Sequence, residues 1–426
     1  MDSQSFDQVK SEIHQLLLSQ LDLEKLSTLA NGRARMAVTG LIQEIIQKEK
    51  LLLNGSEKDL LQSSLLDEVF GYGPLEPLLK DHTISDILVN RRDLVYVERS
   101  GVLEKIDVKF RDDRHLLQII DRIVGGVGRR VDESSPMVDA RLADGSRVNA
   151  IIPPLALDGP ALSIRRFGAS PLTADKLLQL QSISPEMLEI LQAAVRARIS
   201  ILISGGTGAG KTTFLNMLSG YIPHTERLVT IEDSAELQIQ QENVVRLETR
   251  PPNMEGKGAV RQRELLINSL RMRPDRIVIG EIRGEEAFDM LQAMNTGHEG
   301  SMTTVHANTC RDALSRLESM VAMANFNLQE KAVRQQIASA VGLVVQIARM
   351  SDGTRRVINI AEITGMESDT ISMQDIFTFV RRGVGPSGKV VGTFRPSGIR
   401  PKFMEKLRVA GILLPQDIFE RTTEVT

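Results

Sequence analysis

Gly205-Gly206-Thr207-Gly208-Ala209-Gly210-Lys211-Thr212-Thr213 fits the phosphate-loop pattern G-x-x-x-x-G-K-[ST], and its flanks supply the context that pattern requires. Upstream, Ile199-Ser200-Ile201-Leu202-Ile203-Ser204 reads as a buried strand. Downstream, Thr213-Phe214-Leu215-Asn216-Met217-Leu218 opens a helix. The glycines let successive backbone N–H groups converge on a phosphate, and the helix start adds roughly half a positive charge there. Lys211 is then expected to reach the β- and γ-phosphates of a nucleotide, and the Thr212 hydroxyl to ligate Mg²⁺. A chance glycine-rich turn is the alternative; strand, helix, lysine and threonine together argue against it.

A chain of 426 residues exceeds one core of typical size, so two to three domains are expected. Charged residues make up 25% and the formal net charge is −3, which gives no reason to expect a strongly basic nucleic-acid groove. Cys310 is the sole cysteine, so an intrachain disulfide and a cysteine-rich zinc site are excluded; it is expected to be a small buried residue. No apolar run approaches the length needed to span a bilayer, and Met1-Asp2-Ser3-Gln4-Ser5 lacks the regions of a signal peptide. Membrane association is therefore expected to go through a partner.

From Phe6 to Phe70, apolar and charged positions recur at helical spacing, with breaks at Ala30-Asn31-Gly32 and Asn54-Gly55-Ser56; two or three amphipathic helices follow. Leu16, Leu17, Leu18 and Leu21 are expected to pack within this unit, a partner-binding face being the alternative. Gly71-Tyr72-Gly73-Pro74 punctuates the chain. Strands at Ile84–Val89 and Leu94–Glu98, a helix from His115 to Val124 and short strands at Arg147–Ile152 and Ala161–Arg165 then describe an α+β domain. Phe167-Gly168-Ala169-Ser170-Pro171 reads as a linker. Beyond it, helices alternate with the apolar strands Leu228–Ile231, Arg276–Ile279 and Ser301–Val305, predicting a mostly parallel sheet with ligand at its carboxyl ends. The domains expected are therefore 1–70, 71–168 and 169–426.

Phosphoryl transfer to water needs a metal and a group that orients the water, so carboxylates at strand ends are the candidates. Leu228–Ile231 runs into Glu232-Asp233-Ser234-Ala235-Glu236, and Arg276–Gly280 into Glu281-Ile282-Arg283. Gly280 stands where many phosphate-loop enzymes place a Mg²⁺-coordinating Asp, so Glu281 is expected to act on magnesium through water. For Glu232, Asp233 and Glu236 the bland alternative is helix N-capping. His298 and His306 flank the Ser301–Val305 strand. Their spacing does not fit H-E-x-x-H, which rejects a zinc peptidase. His306, at the carboxyl end of the strand, is placed to sense a γ-phosphate; a structural strand-end histidine is the alternative.

In this order, Gly205–Thr213, Thr230–Leu237, Ile277–Arg283 and Thr296–Asn308 resemble the Walker A loop, Asp box, atypical Walker B strand and His box of the secretion ATPase superfamily, which powers type II secretion, type IV pili and type IV secretion. Gly73-Pro74-Leu75-Glu76-Pro77-Leu78-Leu79 with Ile84–Asn90, and Ile360–Met366 with Pro396–Phe403, are similar to the CpaF/TadA branch, the motors of tight-adherence (Flp) pili. That branch also carries an added helical bundle. The tetracysteine zinc motif of the type II secretion and pilus-extension branches cannot form here.

The resemblance implies a RecA-like phosphate-loop ATPase domain preceded by an α+β domain and a helical bundle. It implies a homohexameric ring that binds ATP and Mg²⁺ between the last two domains of a protomer, hinged at Phe167–Ser170. It assigns the water-polarising base to Glu236 and metal support to Glu281. Arginine fingers fall on Arg147, Arg165 and Arg166, surface salt bridging being the alternative, and which of the adjacent pair points inward is left open. The expected role is pilus assembly or retraction at the cytoplasmic side of an inner-membrane platform protein. Alternatives are a type IV secretion traffic ATPase, a RecA-like nucleic-acid translocase and an ATP-binding scaffold. Aromatics at 4% with no Trp argue against a stacking channel for nucleic acid.

Overall fold

The computed structural model describes residues 3–20, 31–49, 51, 53–99, 102–142, 144–166, 172–252, 257–324 and 328–425. Two compact units divide the chain, Met1–Gly168 and Ala169–Thr426. The expected hinge Phe167–Ser170, Ala30 and Leu21 lie outside the described residues, as does the Leu18 side chain.

The first unit opens with helices Ser3–Gln20, Asn31–Lys48 and Gly55–Phe70. Asn31 and Gly32, expected as a break, form the first turn of the second helix. Apolar residues at helical spacing, Ile13 and Leu17, then Val38, Ile42 and Ile45, then Leu61 and Leu65, close one core. Asn54 caps the third helix, accepting from Glu57 N while the Glu57 side chain returns to Asn54 N. Six strands follow, β1 (Ile84–Arg91), β2 (Leu94–Arg99), β3 (Val102–Ile106), β4 (Met137–Arg141), β5 (Arg147–Ile151) and β6 (Ala161–Arg165). They form one antiparallel sheet in the order β3-β2-β1-β6-β5-β4. Helix Asp113–Gly125 packs Leu116, Ile119, Ile120 and Ile123 into a core with Ile87, Val95, Val148 and Ile164. Buried Glu68 joins the helical bundle to this helix: it meets Lys10 Nζ at 2.8 Å and His115 Nε2 at 2.9 Å.

The second unit contains β7 (Ile201–Gly205), β8 (Leu228–Glu232), β9 (Val244–Glu248), β10 (Arg276–Ile279), β11 (Met302–Val305), β12 (Leu343–Arg349), β13 (Arg355–Glu367), β14 (Thr370–Val384), β15 (Val390–Pro396) and β16 (Thr423–Val425). Strands β12-β7-β11-β10-β8-β9 run parallel. In these strands neighbouring residues enter opposite cores: Ile201 and Ile203 pack on one face, Leu202 on the other. Burial on both faces explains why they read as unbroken apolar runs. Beyond β12 the sheet continues antiparallel through β13, β14, β15 and β16. This antiparallel wing is a correction to the simple alternation of strands and helices. Long β13 and β14 are interrupted by register shifts, which blur their period-two pattern. Among the described residues no helix is long and apolar enough to cross a membrane.

Candidate functional site

The phosphate loop joins buried β7 to the helix Lys211–Ser219. Gly208 (φ 69°) and Gly210 (φ 93°) take left-handed conformations that a side chain resists, and Gly210 caps the helix. Thr212 and Thr213 are half-buried in its first turn, where free backbone N–H groups suit an anion. Gly206 and Thr207 are exposed on the loop, while Ala209 is buried beneath it.

Parallel pairing puts the carboxyl ends of β10 and β11 beside this loop, and three predicted residues converge there. Lys211 Nζ lies 3.1 Å from His306 Nε2 and 3.7 Å from Glu281 Oε1, and donates to the Gly206 carbonyl at 3.3 Å. His306 Nε2 lies 2.8 Å from the same Glu281 oxygen. Arg283 closes the group, 2.6 Å from Glu281 Oε2 and 3.2 Å from Asp233 Oδ2. Burial lowers the Lys211 pKa, partly offset by Glu281, and burial likewise lowers that of His306. A phosphate entering the loop would compete with Glu281 for the Lys211 ammonium, so occupancy can be transmitted to Glu281 and His306.

Glu232 ends β8 with its side chain turned inward, 3% exposed. Its Oε1 accepts the amides of Glu236 at 2.9 Å and Leu237 at 3.0 Å. Asn216, on the phosphate-loop helix, accepts from Gln238 N at 2.8 Å, and Arg246 donates to the Leu237 carbonyl at 2.9 Å. The segment carrying Glu236 is thus an irregular loop pinned from three sides. No helix follows Glu232, so the N-capping alternative for Glu232, Asp233 and Glu236 is overturned. Burial raises the Glu232 carboxyl to about 7 against the pull of the two amides.

Thr212 and Glu281 offer a hydroxyl and a carboxylate, the hard oxygen donors that Mg²⁺ prefers. Glu281 Oε1 is buried beside the His306 imidazole and the Lys211 ammonium, so a metal-bound water would reach it in competition with them. Among the described residues no group of three or more His, Cys, Asp or Glu forms a metal cage.

The three candidate arginines lie in the first unit. Arg147 and Arg165 face each other across β5 and β6, and Arg141 extends the row on β4. Arg165 Nε lies 3.0 Å from Asp86 Oδ1. Arg166 instead turns to the Asp81 carbonyl, and its own N–H donates to the Ser85 carbonyl at 2.8 Å. Of the adjacent pair, Arg165 is therefore the one displayed on the open sheet face, 61% exposed.

Two arginines of the second unit escaped the sequence pattern. Arg355 Nε donates to the Gly208 carbonyl at 2.9 Å, and Arg349 sits opposite Arg355 at the β12–β13 turn. The only linear signal was the turn Ser351-Asp352-Gly353 after an apolar strand. Glu232, Asn216 and Arg246, which hold the Glu236 loop, carry no linear signal for that role.

A glycine-rich anion loop at the carboxyl end of a buried parallel strand, with strand-end Glu281 and His306 beside its lysine, defines the phosphate-loop class of α/β proteins. The family described as "Type II/IV secretion system protein" matches residues 68–381, and the chain belongs to it, within the secretion ATPase superfamily. A Mycobacterium tuberculosis protein with a conjugal-transfer name is 38% identical over 309 residues, 71% of this chain and 87% of that one. Conjugal transfer protein TrbB of Rhizobium radiobacter is 33% identical over 313 residues, 72% of this chain and 91% of that one. Among solved structures, the VirB11 ATPase from the Brucella suis type IV secretion system in complex with sulphate aligns with TM-score 0.37 and 29% identity, over 67% of this chain and 91% of that one.

Proposed function

We infer that this chain hydrolyses ATP with Mg²⁺ and converts the cycle into mechanical work on a pilus or secretion machine. The observation that carries this is the convergence of Lys211, Glu281 and His306 at the mouth of the phosphate loop. Lys211 would hold the β- and γ-phosphates, the backbone N–H groups of Gly206–Thr213 would cradle them, and Thr212 with Glu281 would support the ion. Bound magnesium would neutralise charge on the transferring phosphoryl group. Glu236 would polarise the attacking water, supported by the three-sided anchoring of its loop. His306 would report the terminal phosphate through its shared contact with Lys211 and Glu281.

Arg147 and Arg165 would act as fingers from the α+β domain, with Arg166 tied to the backbone beside them. Arginine at such a position contributes on the order of a thousandfold or more to turnover. The working form would be a homohexamer with a RecA-like ATPase domain at 169–426, an α+β domain at 71–168 and a helical bundle at 1–70. It would act in the cytoplasm, against the inner-membrane platform of a tight-adherence pilus, as the resemblance of Gly73–Leu79 and Pro396–Phe403 supports. A second role, as a type IV secretion or conjugation ATPase, is favoured by the conjugal-transfer names of the relatives above.

Purified wild type should turn over ATP in Mg²⁺, Glu236→Gln should bind ATP yet hydrolyse it at least a hundredfold more slowly, and DNA should not stimulate either. Equal turnover by Glu236→Gln would remove the base assignment. Gene deletion that spares pili but abolishes conjugation would favour the second role.

A further inference from the structure

The strand β7 that feeds the phosphate loop has different neighbours on its two sides, β11 on one and β12 on the other. The catalytic cluster belongs wholly to the first side, since His306 follows β11 and Glu281 follows β10. On the second side β12 runs past the loop and turns back as β13, and this hairpin is fitted closely to the loop glycines. Ile347 pairs with Gly205, and a Cβ at Gly205 would stand 2.6 Å from the Ile347 carbonyl oxygen. A Cβ at Gly210 would meet Arg355 Cδ at 3.3 Å, and one at Gly208 would meet Arg349 Nη1 at 3.7 Å. Arg355 is fastened to the Gly208 carbonyl at 2.9 Å. The hairpin itself is held by Asp352, which accepts from Thr354 Oγ1 at 2.6 Å and from Val390 N at 2.7 Å.

A nucleotide whose terminal phosphate meets Lys211, Glu281 and His306 must leave the loop on the side away from them, toward the hairpin. Guanidinium groups suit what arrives there, since they bind phosphate oxygens through a planar fork and stack on aromatic bases. We propose that Arg349 and Arg355 form the nucleoside end of the site, contacting the inner phosphates and the base of a bound adenine nucleotide. This assignment rests on the phosphate-loop function inferred above. Because the contacts lie away from the terminal phosphate, they hold ADP and ATP equally. Lys211 and His306, by contrast, discriminate between the two.

Calorimetric titration of the full chain with ADP and with ATP, in Mg²⁺, tests this. Arg349→Ala and Arg355→Ala should each weaken both nucleotides by about tenfold or more, leaving the ATP-to-ADP affinity ratio unchanged. Arg355→Lys should not restore binding, because lysine lacks the planar fork. The melting temperature of Arg349→Ala without nucleotide should stay at the wild-type value while the shift produced by saturating ADP shrinks. Arg349→Ala carries the test if loss of the Gly208 bond loosens the loop in Arg355→Ala. Wild-type ADP affinity in both alanine variants, or a loss confined to ATP, overturns the assignment while leaving the phosphate loop intact. Absence of nucleotide binding by wild type, or wild-type binding by Lys211→Ala, overturns the phosphate-loop function and this assignment with it.

Discussion

The Glu232 side chain lies against Gly280: a Cβ at Gly280 would stand 3.0 Å from Glu232 Cγ. Glu232 ends β8 and Gly280 directly follows the neighbouring parallel strand β10, and Gly280 N donates to the Ile231 carbonyl at 2.9 Å. Gly280 therefore does more than omit the carboxylate expected at that strand end. It leaves the space from which Glu232 reaches the amides of Glu236 and Leu237.

Gly280→Ala should push Glu232 off those amides. Overpacking of this kind costs about 1–3 kcal/mol, so the variant should melt lower and lose turnover with little change in nucleotide affinity. Combining it with Glu232→Ala should cost less than the sum of the single changes. A coupling of about 0.5–3 kcal/mol is expected for residues in contact, measurable by a double-mutant cycle in urea. Strict additivity would deny the contact.

Glu232 also predicts a pH dependence. Its folded carboxyl, raised to about 7 by burial, holds a proton that the unfolded chain releases near its ordinary value of 4.5. The native state thus binds more protons between those values, so this group's contribution to stability declines as pH rises from 4.5 to 7 and is flat above. Glu232→Gln, which keeps an acceptor for the two amides, should match wild type near pH 5 and melt higher at pH 8. Parallel melting curves across that range would contradict the shift.

The opposite sign holds at Glu68. Burial alone would raise its pKa, but the hydrogen bond with His115 and the charge of Lys10 outweigh it and hold the carboxyl at about 2. Its stabilisation is present above the unfolded value of 4.5 and is lost as pH falls from there toward 2. Glu68→Gln should cost about 2–3 kcal/mol at neutral pH, read from urea unfolding by circular dichroism, and progressively less on acidification.

Glu281 meets both Lys211 and His306 through one buried oxygen, so Glu281→Gln removes their shared countercharge. Turnover should fall roughly 100-fold or more, the scale for loss of a preorganised electrostatic partner, while the ADP dissociation constant changes far less. An equal loss of ADP binding would mean that Glu281 serves to bind nucleotide in general.

Cys310 is 4% exposed, and burial pushes its thiol up to about 12. With so little thiolate, the native protein should resist alkylation by iodoacetamide at pH 8 and react with one equivalent only in denaturant. Labelling of the native protein at the rate of a free thiol would contradict its burial.

The helices of the first unit, β1, β2, the parallel strands β7, β8, β10 and β11 and the residues of the phosphate loop were legible because each depends on local periodicity or on a short motif with a fixed neighbourhood. Strands β3 and β4 were not. β3 carries four exposed residues in five and β4 no fully buried one, so neither shows an apolar alternation. The antiparallel wing was hidden by register shifts in its long strands, and the Glu232–Glu236 segment resembled a helix start because acidic residues favour both sites.

The sequence by itself determined the anion loop, its lysine and threonine, and the strands whose carboxyl ends flank it, since these follow from residue type at fixed spacing. Only the tertiary structure decided that Glu232 stands over Gly280, that Lys211 and His306 share one oxygen of Glu281, and that Arg349 and Arg355 border the loop from the far side. Each of those contacts joins residues dozens to well over a hundred positions apart, brought together by strand order in the sheet. No local pattern along the chain encodes that order.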